Sequence, residues 1–253
     1  MTLLIRPLRA PALLLGLAFG LLMALAAQAA SAAQAAAACT AASGAHPPTV
    51  VELYTSEGCS SCPPADRWLS TLKGRPDVLA LAFHVTYWDR LGWPDRYATP
   101  EATARQRELA RLAGSSQVYT PQVRVDGRDW KIWPKLPAPA ADSAISVVLQ
   151  REGETVTAQI AATPGKAGLR AGYWAVLEDG HQSAVKAGEN AGETLRHDHV
   201  VRLVQPVANW AASTPLRVQL TVARGDPAYP RRVVFVVTDA ATAQPLQAVA
   251  LRC

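Results

Sequence analysis

Apolar positions along the chain fall into two textures. Residues 49–56, TVVELYTS, and 78–89, VLALAFHVTYWD, are short apolar runs rich in β-branched residues, which predict buried strands. Between them PPADRWLSTLKG opens on proline and closes on glycine, and Trp68, Leu69 and Leu72 give it an apolar face, so it reads as a helix. Residues 99–114 predict a second helix. Thr99 caps it, Pro100 takes its first position, and Gly114 ends it; Ala102, Gln106, Leu109 and Leu112 or Ala113 form the inward stripe, with the arginines on the solvated face. VYTPQVRVDGRDW (118–130) is a strand, an Asp-Gly turn and a strand. The order strand, helix, strand, helix, strand, strand implies a right-handed crossover, parallel strands and a mixed sheet closed by a hairpin.

The pattern changes after a proline-rich stretch at 134–143. ISVVLQ, TVTAQI, YWAVLED, HVVRLV, LRVQLTVA, RVVFVVTD and LQAVALR are all strand-like, with turn signals such as REGE and RGDPAYP between them. About seven short strands predict a β-sandwich. The expected organisation is an α/β domain with a mixed sheet and flanking helices at 48–133, a linker at 134–143 and a sandwich-like all-β domain at 144–253.

The first thirty residues stand apart. Arg6 and Arg9 precede the apolar run ALLLGLAFGLLMALAA and a tract of small residues, the pattern of a secretory signal cleaved after Ala29 or Ala30. An uncleaved anchor is the rival reading. Residues 31–47 read as a flexible leader. Those two arginines, with no acid near them, leave on cleavage, so the formal net charge of +5 drops by two. Neither the total nor any basic run points to nucleic acid. After cleavage nothing points to a membrane.

Export alters the expectation for the four cysteines, Cys39, Cys59, Cys62 and Cys253, because oxidising compartments favour disulfides. If Cys59 pairs locally with Cys62, Cys39 and Cys253 remain to clasp the two ends; the alternative leaves both free. In SEGCSSCPPAD the cysteine pair lies between a buried strand and the start of a helix. The positive end of the helix dipole and nearby N–H groups there lower a thiol pKa. Cys59 then serves as the nucleophile of thiol–disulfide exchange and Cys62 as the resolving thiol, with thiol- or disulfide-containing proteins as partners.

Three other readings stay open. The pair is half of a zinc site, with Cys39, Cys253, His84, His197 and His199 as the remaining ligand choices. It carries copper, although no methionine cluster supports that. Or it is a permanently oxidised staple in a binding module. The preferred reading needs neither cofactor nor metal.

Thioredoxin-type folds place a cis proline at the head of a strand beside their cysteines, and Pro121 in YTPQ occupies that topological place. They also carry a buried, proton-shuttling acid on the first strand. Glu52 lies seven residues before Cys59, one residue farther than in thioredoxins, which puts its face in doubt. Tyr87, Trp88, Asp89 and Trp93 combine aromatic faces with an acid at a strand's carboxyl end, where open α/β sheets bind ligands, and form a possible site wall or simply core packing.

VELYTSEGCSSCPPAD, FHVTYWDRLGWPDRYATPEATARQR, VYTPQVRVDG and GENAGETLRHDHVVR together resemble a family of exported bacterial proteins classed as a domain of unknown function. The resemblance runs from about residue 48 to near the end. It implies a thioredoxin-like amino-terminal domain, a periplasmic or secreted setting, and Cys59, Cys62 and Pro121 in the positions of the redox pair and its proline. It implies no particular reaction. Ser60-Ser61 and Gly58 depart from the Gly-Pro and preceding tryptophan of ordinary thioredoxins, which leaves the direction of electron flow open.

Overall fold

In the computed structural model, residues 39–253 are described, and the expected signal and residues 31–38 of the expected leader lie outside them. The chain enters at β1 (Cys39–Ala42) and passes to β2 (Thr49–Thr55), buried along its whole length. Helix α1 (Pro63–Ser70) returns the chain to β3 (Val78–His84), which lies parallel to β2. Helix α2 (Pro100–Leu112) then leads to β4 (Gln122–Val125), antiparallel to β2, and to the short β5 (Arg128–Asp129). Asp126 and Gly127 both take positive φ in the turn between them, as the Asp-Gly pair predicts. Period-two alternation decides which side of β2 meets which helix. Val51 and Leu53 pack with Ala65 and Leu69 of α1, whereas Val50 and Tyr54 share a cluster with Ala102 and Leu109 of α2.

The second half supplies β6 (Val147–Glu152), β7 (Thr155–Ile160), β8 (Leu169–Glu178), β9 (His181–Ala184), β10 (Thr194–His197), β11 (Val200–Ala211), β12 (Leu216–Thr221), β13 (Arg231–Asp239) and β14 (Pro245–Leu251). Strands β1, β6, β7 and β12 form a four-stranded sheet, and β9 pairs only with β10. The remaining strands extend the first half's sheet to eight, in the order β14-β13-β8-β11-β3-β2-β4-β5. Along β13, Val233, Phe235 and Val237 face the four-stranded sheet, with Trp174 of β8 and Leu149 of β6 in the same core. Val234 and Val236 turn the other way, into the layer that also holds α2.

This corrects the expected two-domain division. Residues 39–253 form one compact unit, and the proline-rich 134–143 segment separates no sheets. A sandwich does form, but one of its layers is shared with the first half. Residues 39–42, expected in the leader, are instead an edge strand against β6. The first described residue is also tied covalently, by the Cys39–Cys253 disulfide. Overall the fold is mixed α/β, dominated by sheets, with few helices.

Two local expectations also change. Strand β3 ends at His84, and Thr86–Leu91 form a 3-10 turn where the sequence predicted more strand. The Thr86 N–H donates to Thr103 Oγ1 of α2 at 3.0 Å, not to a neighbouring strand. Helix α2 starts as predicted, with Thr99 accepting from the Ala102 N–H at 3.1 Å. Its Arg105, however, turns inward to pair with Glu52 at 2.5 Å.

The Cys39–Cys253 bond closes a sequence separation of 214 residues. Restricting the unfolded chain over such a loop stabilises the fold by about 3–5 kcal/mol on the chain-entropy account. Replacing both cysteines by serine lowers the urea midpoint accordingly; equal midpoints for variant and parent would show that the clasp adds no stability.

Candidate functional site

The chain turns twice between β2 and α1. The Cys59 N–H donates to the Ser56 carbonyl at 3.1 Å, and the Cys62 N–H donates to the Cys59 carbonyl at 3.2 Å. Cys62 is the N-cap of α1, Pro63 follows at the first helical position, and the Cys62 carbonyl accepts from the Ala65 and Asp66 N–H groups. Proline costs nothing there, since its missing N–H has no helical partner to lose. Cys59 and Cys62 form a disulfide across this turn. Both cysteines are 0% exposed, while Ser60 and Ser61 between them are open to solvent.

The aromatic segment expected to wall the site divides. A Cβ on Gly58 would come within 3.1 Å of Trp88 Cβ, so the loop packs closely against this tryptophan. Trp88 Nε1 donates to Thr120 Oγ1 at 2.7 Å, and the Thr120–Pro121 peptide is cis. Trp88 thus links the cysteine loop to the Pro121 turn. Trp93 Nε1 donates to Glu57 Oε2 at 2.7 Å, two residues before Cys59. Asp89 accepts from the Asp95 N–H at 3.1 Å and so props the loop. Tyr87 donates to Gln106 Oε1 on α2. Pro121 also lines a shallow cavity of about 350 Å³ with Tyr119, Trp130 and Trp133, and Trp133 stacks on Trp68 of α1.

Glu52 lies on the side of β2 that faces α2, where alternation puts it with Val50 and Tyr54, opposite the face that meets α1. There Arg105 pairs with it, and the Tyr54 and Tyr173 hydroxyls donate to it at 3.4 and 2.9 Å. The acid on the α1 face is Asp66, whose Oδ2 accepts from Thr55 Oγ1 at 3.0 Å. Burial raises the Asp66 pKa, against the pull of His197, His84 and Thr55.

A buried polar layer underlies the cysteine loop. Glu57 Oε1 lies 3.2 Å from His197 Nε2 of β10, and the Glu57 N–H donates to Asp95 Oδ2 at 2.9 Å. Asp95 Oδ2 is also 2.6 Å from His84 Nδ1. Burial alone would raise Asp95. The adjacent His84, together with the Glu57 and Tyr97 N–H groups, outweighs burial and holds it at about 2. Burial opposes a charged His84, yet Asp95 prevails and raises it. Burial likewise pushes Glu57 up, but the His197 and Trp93 hydrogen bonds leave it lowered.

Three imidazoles, His84, His197 and His181, each have one nitrogen near a carboxylate and the other buried without a partner. Metal-bound histidines are anchored in this way. Even so, among the described residues no three His, Cys, Asp or Glu side chains converge to hold a metal ion. The zinc ligand set considered from the sequence is dispersed. Cys39 and Cys253 bond each other, and His199 lies apart from His197, with Arg232 and Asp179. The sequence reading passed over Glu57, Asp66 and Asp95 as functional residues, although the first two stand inside or at the edge of the cysteine motif.

The segment 188–201, polar and glycine-rich in the sequence, reaches this loop. Asn190 Nδ2 donates to the Glu57 and Cys59 carbonyls at 2.8 and 3.0 Å. Glu189 Oε2 accepts from Ser60 N and Ser60 Oγ at 3.0 and 2.8 Å.

A family model described as a protein of unknown function (DUF1223) matches residues 50–238. A crystal structure of an Agrobacterium tumefaciens protein is similar at 28% identity, covering 80% of this chain and 93% of its own, with a TM-score of 0.60. HBP35 of Porphyromonas gingivalis is similar at 15% identity, covering 83% and 76%, with a TM-score of 0.56, which shows a shared fold alone. None of the curated proteins matches the chain.

Asp95 and His84 set a pH dependence. A carboxylate lowered from 3.8 to about 2 stabilises the fold above pH 3.8 and loses that contribution as the pH falls toward 2. The raised His84 contributes below its ordinary value of 6.5 and loses its contribution as the pH rises through its folded value. Asp95→Asn therefore removes about 2 kcal/mol of the stability difference between pH 5 and pH 2. Urea unfolding at both pH values measures it; an acid limb as steep as the parent's would show that Asp95 is not the group titrating.

Proposed function

The chain belongs to the DUF1223 family of proteins of unknown function, and we propose that it is an exported, thioredoxin-like thiol–disulfide exchange protein acting on protein partners through Cys59 and Cys62. The observation that carries this reading is the Cys59–Cys62 disulfide spanning the turn into α1, with Cys62 as the helix N-cap. When the pair is reduced, the amino-terminal end of α1 favours a thiolate over a thiol. Cys59 attacks a partner disulfide and forms a mixed disulfide as one partner sulfur leaves. Cys62 then attacks Cys59, closing the internal disulfide and releasing the partner as a dithiol. In this direction two electrons pass from the cysteine pair to the partner and the protons lost by the two thiols balance those gained by the partner; the same steps in reverse, starting from the disulfide, oxidise a partner dithiol. The link from Gly58 through Trp88 to Thr120, beside Pro121, supports the thioredoxin-like part of the reading.

Export is supported by two disulfides, which persist in oxidising compartments. Among the described residues no helix is long and apolar enough to cross a membrane.

A second reading makes the pair a permanent staple in a binding module, and the complete burial of both cysteines favours it. Two experiments separate these readings. Under exchange, Cys62→Ser accumulates mixed disulfides through Cys59 in thiol-trapped periplasm, and absence of such adducts counts against it. Titration in glutathione buffers places an exchanging pair near the ambient poise, whereas a staple has a potential below about −300 mV.

A further inference from the structure

The cysteine pair is covered from the second half of the chain. Both cysteines are fully buried, although Ser60 and Ser61 between them are exposed. The contacts on this loop from the tip of the β9–β10 hairpin are polar and go mainly to backbone. Asn190, itself buried, donates to the carbonyls of Glu57 and Cys59, and Glu189 accepts from the Ser60 N–H and hydroxyl. Together these occupy the backbone groups of the loop that carries the attacking sulfur.

We propose that the 188–192 tip of this hairpin is a lid over the cysteine pair, and that a thiol reaches Cys59 only when the lid lifts. The purpose of the lid rests on the exchange reading above, but its geometry does not. Three features suit the tip to movement. β9 and β10 pair only with each other, and a lone two-stranded ribbon is only marginally stable by itself. Gly188 and Gly192 bracket the tip in left-handed conformations, and the space beside Gly192 is empty. The ribbon's base is held independently, His197 by Glu57 and His181 by Glu178, so the tip can swing while the strands stay anchored. Of the four hydrogen bonds that tie the tip to the cysteine loop, the two to Ser60 are solvent-exposed, as in segments that open locally at low free-energy cost, and the two from Asn190 are buried.

The lid also specifies what an incoming partner must offer. The site takes a group that supplies an N–H to the Glu57 and Cys59 carbonyls and an oxygen to the Ser60 N–H. An extended peptide carries both around its cysteine, whereas dithiothreitol has no N–H to offer the two carbonyls and depends on spontaneous opening.

The test is the rate at which dithiothreitol reduces Cys59–Cys62 in the oxidised full chain. The reagent's thiolate attacks one sulfur, its second thiol closes a cyclic disulfide, and the two cysteines end as thiols. Alkylation at timed intervals and peptide mass spectrometry follow each disulfide separately. Asn190→Ala removes two hydrogen bonds and is expected to speed reduction of Cys59–Cys62 about tenfold, while Glu189→Ala, on an exposed side chain, speeds it about threefold. Cys39–Cys253, which the tip does not touch, keeps its rate in both variants. Unchanged Cys59–Cys62 rates in both variants overturn the lid, and so does equal acceleration of the two disulfides, which marks general loosening. If the variants open the site while Cys62→Ser traps no partner, the lid stands and the exchange reading falls.

Discussion

The arrangement depends on a short seam between β3 and β11. The Ala82 N–H donates to the His199 carbonyl at 2.8 Å, and Val200 registers with Ala82 in a parallel bridge. Through this contact two sets of strands become one eight-stranded sheet. His199 adopts positive φ at the seam, a conformation uncommon for a residue with a Cβ. Asp179 accepts from its N–H at 2.7 Å, and Arg232 lies 2.8 Å from its Nδ1. Burial and the neighbouring Arg232 push the imidazole down to about 4, so it is neutral at pH 7 and Nδ1 is free to accept. Because β10 ends two residues before His199, the seam also sets where the hairpin lies.

From that placement follows the polar layer under the cysteines. His197 arrives from β10 to meet Glu57, and Asn190 arrives from the hairpin tip to meet the backbone around Cys59. Buried charges repay their desolvation only when partners and hydrogen bonds are complete, and removing one partner of such a pair costs about 3–5 kcal/mol. The Glu57 and Asp95 carboxylates are partnered by His197, His84, Trp93 and backbone N–H groups, although the second nitrogens of His84 and His197 have no partner. The layer therefore locks the cysteine loop to both halves of the chain. Glu52, Arg105 and Tyr173 do the same on the opposite face of β2, joining β2, α2 and β8 around one carboxylate.

A cysteine pair in this setting differs from a simple surface motif. It stands at the amino-terminal end of α1, it is fully buried, and the tip of the β9–β10 hairpin hydrogen-bonds to its loop. Under the proposed exchange and lid, residues 59–63 set reactivity and residues 188–192 set access.

Local signals in the sequence were enough for most elements, though not for β1, β9, β10 or the 3-10 turn at Thr86–Leu91. Continuous apolar runs marked β2 and β3 as buried, Thr99, Pro100 and Gly114 bounded α2, and Asp126-Gly127 placed the β4–β5 turn, because capping and turn chemistry act over a few residues. The same range of signal placed Cys59 and Cys62 between a strand and a helix. It did not reveal that Glu52 faces away from α1, because one residue of spacing reverses the side of a strand. Nor did it reveal that the proline-rich stretch divides no sheets, since composition marks a loop but not what the strands on either side of it pair with. The partner of Glu57 stands 140 residues away, and no local pattern encodes a contact at that separation. Propensity and punctuation decided the strands and helices; burial and long-range pairing decided which charges met, and hence what surrounds the cysteines.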